Sequence, residues 1–299
     1  MNIEGKQVLF IVNKFSGTGY QAGVEGKIIE ACEKQDVECT IEFTRGRGHA
    51  TELAQEGVEK KFTSIIAVGG DGTVNEVAQG LVHTPVPMGI LPKGSGNGLS
   101  RHLRIPLTLS GALQNLFNSR VIAMDTFTLN DKLSLNVSGI GFDGHVANLF
   151  GKDKKRGFTG YAKLTIHEFF QFKEFEASIT LENQTLERKA FIMAIANSSQ
   201  YGNNARIAPA ASVCDGLLHL SILKKVPPFR LDFMYAFFSG KVDRSIYCDV
   251  IEAKNFTIKT NKPMSFHIDG EPCGEADQFH IRLLPASLNM LVPAKAINI

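Results

Sequence analysis

The sequence predicts an α/β N-terminal domain with a parallel sheet, followed by an all-β sandwich domain. Strands alternate with helices over the first part of the chain, whereas strand-like segments follow one another from about residue 125 onward. No repeat or low-complexity linker interrupts either part. The boundary is predicted near residue 124, which gives domains of residues 1–124 and 125–288.

The first domain is predicted from repeated strand-then-helix units. Short apolar runs bounded by Gly, Asn or Pro indicate buried strands, and each is followed by a helix-like stretch. Because strands joined through helices are parallel, ligands are expected at their carboxyl ends. The predicted strands are 8–12, 38–43, 64–68 and 86–91, and the predicted helices are a stretch ending near residue 34, 50–60, 73–82, a helix from 99 onward, and 109–117.

The second domain is predicted from strand-like segments that for the most part lack helices between them. An all-β sandwich is the simplest architecture for such a series. Two aromatic stretches, 169–175 and 229–238, are interpreted as core more readily than as lipid contacts. The predicted strands are 127–129, 133–137, 177–181, 189–196, 217–223, 249–260 and 279–284.

Composition limits the classes of partner. The 32 basic and 30 acidic residues nearly cancel, so no nucleic-acid partner is expected and any anion site must be local. The N-terminus lacks the basic start and apolar stretch of a signal peptide, and no apolar run approaches the roughly 20 residues of a membrane span. Five cysteines without a C-x-x-C pair favour reduced thiols. A cytoplasmic protein is expected.

The most informative motif is the loop Gly69-Gly70-Asp71-Gly72-Thr73, between an apolar strand and a helix. Glycines let the backbone approach a bulky anion, and the helix N-terminus adds positive potential. A tight turn capped by Thr73 is the structural alternative. The loop predicts a phosphate site.

A second loop of the same kind, Gly94-Ser95-Gly96-Asn97-Gly98, follows the next predicted strand. Loops at adjacent strand ends face one crevice, so a nucleotide fits between them. Neither loop is a Walker A motif, and Gly17, Gly19 and Gly23 depart from the Rossmann spacing.

These motifs resemble the diacylglycerol kinase catalytic-domain family, which includes bacterial lipid kinases and the sphingosine and ceramide kinases. Asn13 to Gly17 is similar to the family's opening N-P-x-S-G, with Lys14 in place of Pro. Further similar motifs are G-G-D-G-T at 69–73, G-S-G-N at 94–97, G-I-G-F-D at 139–143, Y-G at 201–202, A-P at 208–209, D-G at 215–216 and D-G-E at 269–271.

The resemblance implies an NAD-kinase/diacylglycerol-kinase-like fold in which residues 289–299 return to the first domain. It implies an ATP-dependent lipid kinase of phospholipid biosynthesis that uses Mg²⁺ and visits the membrane surface. Asp143 is implied near the substrate head group, and a structural Mg²⁺ at Ser212, Asp215 and Leu217. The implied ATP site comprises Asn13, Thr44, Gly69, Gly70, Asp71, Gly72, Thr73, Asn75, Glu76, Ser95, Gly96 and Asn97.

Three carboxylates compete for the catalytic roles: Asp71, Asp125 and Glu271. Phosphoryl transfer needs charge neutralisation and a residue that accepts the hydroxyl proton. We interpret Asp71, in a turn rich in N–H donors, as an electrostatic organiser that can be replaced with little loss of stability. Glu271, beside an apolar strand, is interpreted as the partly desolvated base. The resemblance leaves the order of Asp71 and Glu271 open.

Several alternatives remain at this stage. The substrate is expected to be diacylglycerol or a related lipid, and a sphingosine- or ceramide-type lipid is the first alternative. An NAD kinase shares the G-G-D-G-T loop, and a non-catalytic lipid-binding protein could keep the fold. A basic run at residues 152–156 is interpreted either as a solvated face or as an arm over phosphates or an anionic membrane. A homodimer is left open.

Overall fold

The computed structural model describes residues 7–17, 23–152 and 158–296, with the backbone alone at 150–152 and 158–164. The side chains of the basic run at 152–156 therefore lie outside the described residues. The chain divides into two compact units, one of Met1–Thr126 with Pro285–Ile299 and one of Phe127–Leu284. The predicted fold class, a parallel α/β domain and a strand-rich sandwich domain, is confirmed.

Unit 1 has a parallel sheet in the strand order β4-β3-β1-β2. Its central strand Ser64–Gly69 is buried along its whole length, as expected where helices cover both faces of a sheet. The strands are β1 Gln7–Val12, β2 Glu38–Phe43, β3 Ser64–Gly69 and β4 Met88–Pro92. The helices are α1 Val24–Glu33, α2 His49–Glu59, α3 Asp71–Leu81, α4 Gly98–His102 and α5 Leu109–Phe117.

Unit 2 is built mainly from antiparallel strands around a large apolar core that includes Phe127, Phe175 and Phe279. Its strands are β5 Ser119–Leu129, β6 Lys132–Ser134, β7 Val137–Gly141, β8 Phe175–Thr180, β9 Thr185–Ala190, β10 Ile192–Ala196, β11 Leu218–Leu223, β12 Cys248–Ala253, β13 Asn255–Ile268 and β14 Glu271–Pro293. The first residues of β5 and the last of β14 belong to unit 1.

Three helices accompany these strands: α6 Phe142–Lys152, α7 Phe158–Gln171 and α8 Leu231–Ser239. The prediction of a second domain without regular helices is corrected in this respect. Three predicted strands also merged separate elements, because 133–137, 189–196 and 249–260 each divide into two strands. In the first case the division lies where the Asp269 carboxylate accepts the backbone N–H groups of Leu135 and Asn136.

Within the residues that the structure describes, no helix combines the length and the apolar character that a membrane crossing requires.

Candidate active site

The two glycine-rich loops of unit 1 touch each other backbone to backbone. The Lys93 N–H donates to the Gly69 carbonyl at 2.7 Å, which continues the pairing of β3 with β4 into the loops. A Cβ atom on Gly94 would lie 2.8 Å from the Gly70 Cα, closer than real side chains come. Only glycine therefore permits this approach, and the two loops form one continuous backbone surface at the sheet edge.

Asp71 clamps the first loop to the second. Its Oδ2 accepts the Asn97 N–H at 2.9 Å, and its Oδ1 accepts the Gly98 N–H at 3.0 Å. These donors lie at the N-terminus of α4, where a negative charge is stabilised by otherwise unpaired N–H groups. The expectation that Asp71 serves charge alone and not stability is therefore corrected, since its carboxylate joins two loops.

Asn97 closes the second loop. It adopts left-handed backbone angles (φ 50°, ψ 47°), which Asn tolerates better than most residues. Its Oδ1 accepts the Gly94 N–H at 3.0 Å and its Nδ2 donates to the Gly94 carbonyl at 2.7 Å. Arg101, which the sequence did not single out, donates from Nε to the Gly96 carbonyl at 3.0 Å. Asn97 thus shapes the loop.

The segment after β1 is the third part of the site. Asn13 donates from Nδ2 to the Thr73 Oγ1 at 2.9 Å, and its Oδ1 accepts the Phe15 N–H at 2.9 Å. Gly17 has a φ of +63°, and a Cβ there would lie 2.0 Å from the Lys93 carbonyl oxygen. The structure therefore brings together the motifs at 13–17, 69–73 and 94–97.

Lys93, which the sequence did not single out, immediately precedes the second loop. Burial lowers the pKa of its ammonium, while the charge of Glu25 opposes that shift. The ammonium nitrogen is itself buried, so Lys93 does not present an exposed cation to a ligand.

The remaining residues of the implied ATP site have different environments. Thr44 is buried after β2, with its N–H bonded to the Val12 carbonyl at 3.0 Å. Asn75 is buried in α3, where its Oδ1 accepts from Gln79 Nε2 at 2.7 Å. Glu76 is half-buried, and Ser95 is exposed at the tip of the second loop. Because its side chain is hydrogen-bonded to Gln79, Asn75 has a structural contact within α3.

Gly94→Ala tests the contact between the loops. The new methyl group would meet both the Gly70 Cα and the Asn97 Oδ1 at 2.8 Å, so the loops must separate. We expect weaker ATP binding and a loss of about 1–3 kcal/mol in stability, typical of overpacking. Nucleotide titration and thermal unfolding measure both effects. Gly26→Ala in α1, with no atom within 4 Å of the added Cβ, is the control. Unchanged ATP affinity in Gly94→Ala would show that the loops do not hold the nucleotide.

Asp143 is the centre of a polar cluster in unit 2. Its Oδ2 accepts the Tyr201 hydroxyl at 2.8 Å and lies 3.2 Å from His267 Nε2. Because the Gly270 N–H donates to His267 Nδ1 at 3.1 Å, we assign the ring proton to Nε2, which then donates to Asp143. A Cβ on Gly139 would overlap the Asp143 carboxylate at 1.8 Å. Tyr201 was quoted only within a motif, and His267 was missed.

Glu271 lies in unit 2 at the first position of β14, after the two-residue turn Asp269-Gly270. Both turn residues have positive φ, 48° and 88°, as in a tight hairpin. The Glu271 side chain is exposed. The expectation that Glu271 is partly desolvated is therefore wrong, because its place beside the turn directs the side chain into solvent. The neighbouring Asp269 has a structural role, since its carboxylate accepts the Ser134 hydroxyl at 2.7 Å as well as two N–H groups.

Asp125 lies in the part of β5 that belongs to unit 1 and is only 3 % exposed. Its Oδ1 accepts the Ala286 N–H at 2.6 Å. Ala286 is the second residue of the segment Pro285–Ile299, by which the chain rejoins unit 1. The contact shows a structural role for Asp125, and its catalytic role stays a prediction.

The loop of unit 2 that the resemblance implies as a Mg²⁺ site, with Ser212, Asp215 and Leu217, has only some of the ligands that such a site needs. A carboxylate and two backbone carbonyls are the oxygen ligands that Mg²⁺ prefers. However, Asp215 Oδ1 accepts the Leu217 N–H at 3.0 Å, and Ser212 Oγ accepts the Cys214 N–H at 3.4 Å. Among the described residues, no group of three or more His, Cys, Asp or Glu side chains could hold a metal. Bound water would have to supply most of the coordination.

Two glycine-rich loops at the edge of a parallel sheet, in a chain that also has a sandwich domain, are the features of diacylglycerol-kinase-like proteins. Residues 7–129 match the diacylglycerol kinase catalytic domain, and residues 136–292 match the YegS C-terminal NAD kinase beta sandwich-like domain. The chain belongs to this family of lipid kinases.

Curated relatives agree with that membership, and a solved structure shares the fold. The chain is 30 % identical to a protein of Enterobacter sp. (strain 638) named "Probable lipid kinase YegS-like", over 85 % of this chain and 86 % of that protein. It is 29 % identical to a protein of the same name from Klebsiella pneumoniae (strain 342), over 87 % and 88 %. A crystal structure titled a diacylglycerol kinase from Bacillus anthracis str. Sterne shares the fold, with a TM-score of 0.74 and 23 % identity over 98 % of each chain.

Proposed function

We propose that this protein transfers the γ-phosphate of ATP to a hydroxyl group of a lipid, with diacylglycerol as the first candidate. The observation that carries the proposal is the backbone surface of unit 1, where Asp71 joins two glycine-rich loops at the N-termini of α3 and α4. Family membership supports lipid as the acceptor, because the relatives are named lipid kinases.

The proposed reaction begins with the nucleotide phosphates on the loops. Backbone N–H groups and helix N-termini neutralise phosphate charge without reorganisation. Mg²⁺ bound with ATP would supply further neutralisation of the β- and γ-phosphates. Asp71 keeps the loops in register. Glu271 is proposed to accept the proton of the lipid hydroxyl, and its exposure leaves it accessible to an incoming substrate.

Asp143 is proposed to bind the polar head of the lipid. Tyr201 and His267 both donate toward Oδ2, which fixes the carboxylate in one orientation. Its Oδ1 accepts only the adjacent Gly144 N–H among the hydrogen bonds recorded for the described residues. A carboxylate oxygen can accept more than one hydrogen bond, so Oδ1 retains the capacity to accept a hydroxyl group.

Tyr201→Phe tests that role because it removes one hydroxyl and keeps the ring. We expect the KM for the lipid to rise about ten- to hundredfold, because a hydrogen bond to a charged group is worth about 1.5–3 kcal/mol, while the KM for ATP stays constant. Ser178→Ala, which removes a hydroxyl bonded to the Glu187 carboxylate elsewhere in unit 2, is the control. Equal effects on both KM values would assign Tyr201 a purely structural role.

The proposed function is tested by incubating the protein with γ-labelled ATP, Mg²⁺ and separate lipids presented in detergent micelles. The panel comprises diacylglycerol, monoacylglycerol, a long-chain base, ceramide and, as a soluble acceptor, NAD. We expect label in the organic phase, strongest with diacylglycerol. Label only in the nicotinamide dinucleotide would replace the proposal with an NAD kinase, and no label with any acceptor would favour a binding protein.

A further inference from the structure

Helix α8 of unit 2 is apolar on two opposite faces. Its inner face, with Phe233 and Phe237, packs against the apolar cluster that contains Ile207 and Val242. Its outer face is also apolar, although it is exposed to solvent. The outer-face side chains follow the i, i+3, i+4, i+7 spacing of one helical stripe: Leu231 (79 % exposed), Met234 (48 %), Tyr235 (67 %) and Phe238 (49 %).

Two further exposed apolar side chains flank α8. Phe229 is 93 % exposed and Ile246 is 79 % exposed. Arg230 joins their two segments, because its Nη1 donates to the Tyr247 hydroxyl at 2.9 Å. Phe229 has a φ of 69°, a region that bulky residues seldom adopt. Such backbone strain at an exposed aromatic residue indicates a functional constraint. We call these six side chains the outer patch.

The charges around the outer patch favour an anionic surface as its partner. The segment 224–247 contains five cations and two carboxylates. One of these cations, Lys225, donates from Nζ to the carbonyls of Phe170 and Phe172, so its charge is engaged elsewhere. The other four cations exceed the two carboxylates by two positive charges. Arg230 pairs with Asp232 at 2.5 Å, which neutralises one of the two carboxylates. Lys241 lies with its Nζ 5.9 Å from the centre of the Tyr235 ring, so a cation borders the apolar stripe itself.

Exposed aliphatic and aromatic side chains on a short helix, with a cation just beyond each end (Arg230 and Lys241), fit a helix that lies in the membrane interface. A second copy of the chain is a poorer partner, since a symmetric contact would place the two positive segments against each other. We infer that the outer patch of α8 is the surface by which this protein docks on anionic lipid bilayers. This inference rests on the proposed function in one respect, because a lipid kinase must reach substrate in a membrane.

The test uses vesicles without ATP and without a phosphorylatable lipid, so docking is measured apart from catalysis. The full chain is mixed with phosphatidylcholine vesicles, with and without phosphatidylglycerol, and the bound fraction is measured by flotation. We expect binding that requires phosphatidylglycerol and weakens at high salt. The double variant Leu231→Gln/Phe238→Gln should lose at least about tenfold in affinity, because the transfer of each apolar side chain from water is worth about that factor or more.

Two further variants test the charge of Lys241 and the location of the docking surface on α8. Lys241→Gln should lower the affinity for the anionic vesicles about fivefold. The part of the binding that persists at high salt should be unchanged. Ile166→Ser removes a side chain of similar exposure, 62 %, from another helix of unit 2 and should bind as the wild type does. Equal losses in Ile166→Ser and the double variant would overturn the assignment to α8, as would wild-type binding by the double variant.

Three other outcomes distinguish dimerisation, docking on a bilayer and lipid phosphorylation. A wild-type dimer in sedimentation analysis that becomes monomeric in Leu231→Gln/Phe238→Gln would identify a second copy as the occupant and overturn the inference. Lipid phosphorylation in micelles without any vesicle binding would overturn docking and keep the proposed function. Patch-dependent vesicle binding by a protein that phosphorylates no lipid would keep docking and remove the proposed function.

Discussion

Asp71→Asn is expected to lower lipid phosphorylation by about 10²–10³-fold, the effect typical of losing a preorganised electrostatic group. The substitution also replaces one acceptor oxygen with an NH₂ group that faces the N–H of Asn97 or Gly98. Hydrogen bonds to charged groups are worth about 1.5–3 kcal/mol, so stability should fall as well. Activity with labelled ATP and the melting temperature are measured on the same sample.

A graded series distinguishes the two roles of Asp71. Asp71→Ala removes both acceptors, so its melting temperature should lie below that of Asp71→Asn, which in turn lies below the wild type. Asp36→Asn, an exposed aspartate in a turn of the same unit, is the control and should change neither quantity. Wild-type turnover in Asp71→Asn would exclude Asp71 from catalysis, and an unchanged melting temperature in Asp71→Ala would show that the clamp does not stabilise the loops.

Elements governed by short-range patterns could be predicted from the sequence. The predicted strand 38–43 and the predicted helix 109–117 coincide with β2 and α5. In α5 the buried residues Ala112, Leu113 and Leu116 recur at helical spacing, a pattern that does not depend on distant parts of the chain. The two phosphate-type loops could be placed for the same reason, since each lies between a buried strand and a helix.

Features that depend on distant neighbours could not be predicted. The carboxylate of Asp71 binds a helix that begins 27 residues later, and Asp269 divides a strand more than 130 residues earlier. The stretch 229–238 was interpreted as core, yet only Phe233 and Phe237 of its aromatic residues pack against a buried cluster. When a helix is apolar on most of its faces, the sequence does not show which face is buried. The pattern of residues 229–238 therefore could not separate core from exposed side chains.

Glu271→Gln is the prediction that decides which carboxylate accepts the proton. The amide keeps the size and polarity of the side chain but lacks a basic carboxylate. If Glu271 is the base, turnover should fall by about 10²–10⁴-fold while ATP affinity stays within a few-fold, because the residue belongs to unit 2 and the glycine-rich loops to unit 1. The exposure of Glu271 means that its loss leaves no buried group unpaired, so the melting temperature should be unchanged.

A matched control lies four residues further along the same strand. Glu275 is also exposed, and Gln at this position can still accept the Ser265 hydroxyl that Glu275 Oε1 accepts at 3.1 Å. Glu275→Gln should therefore keep full turnover. Steady-state kinetics over a range of pH completes the comparison, since the acidic limb of the rate profile should disappear in Glu271→Gln and persist in Glu275→Gln. If turnover survives in Glu271→Gln but is lost in Asp71→Asn, Asp71 and not Glu271 accepts the proton of the lipid hydroxyl.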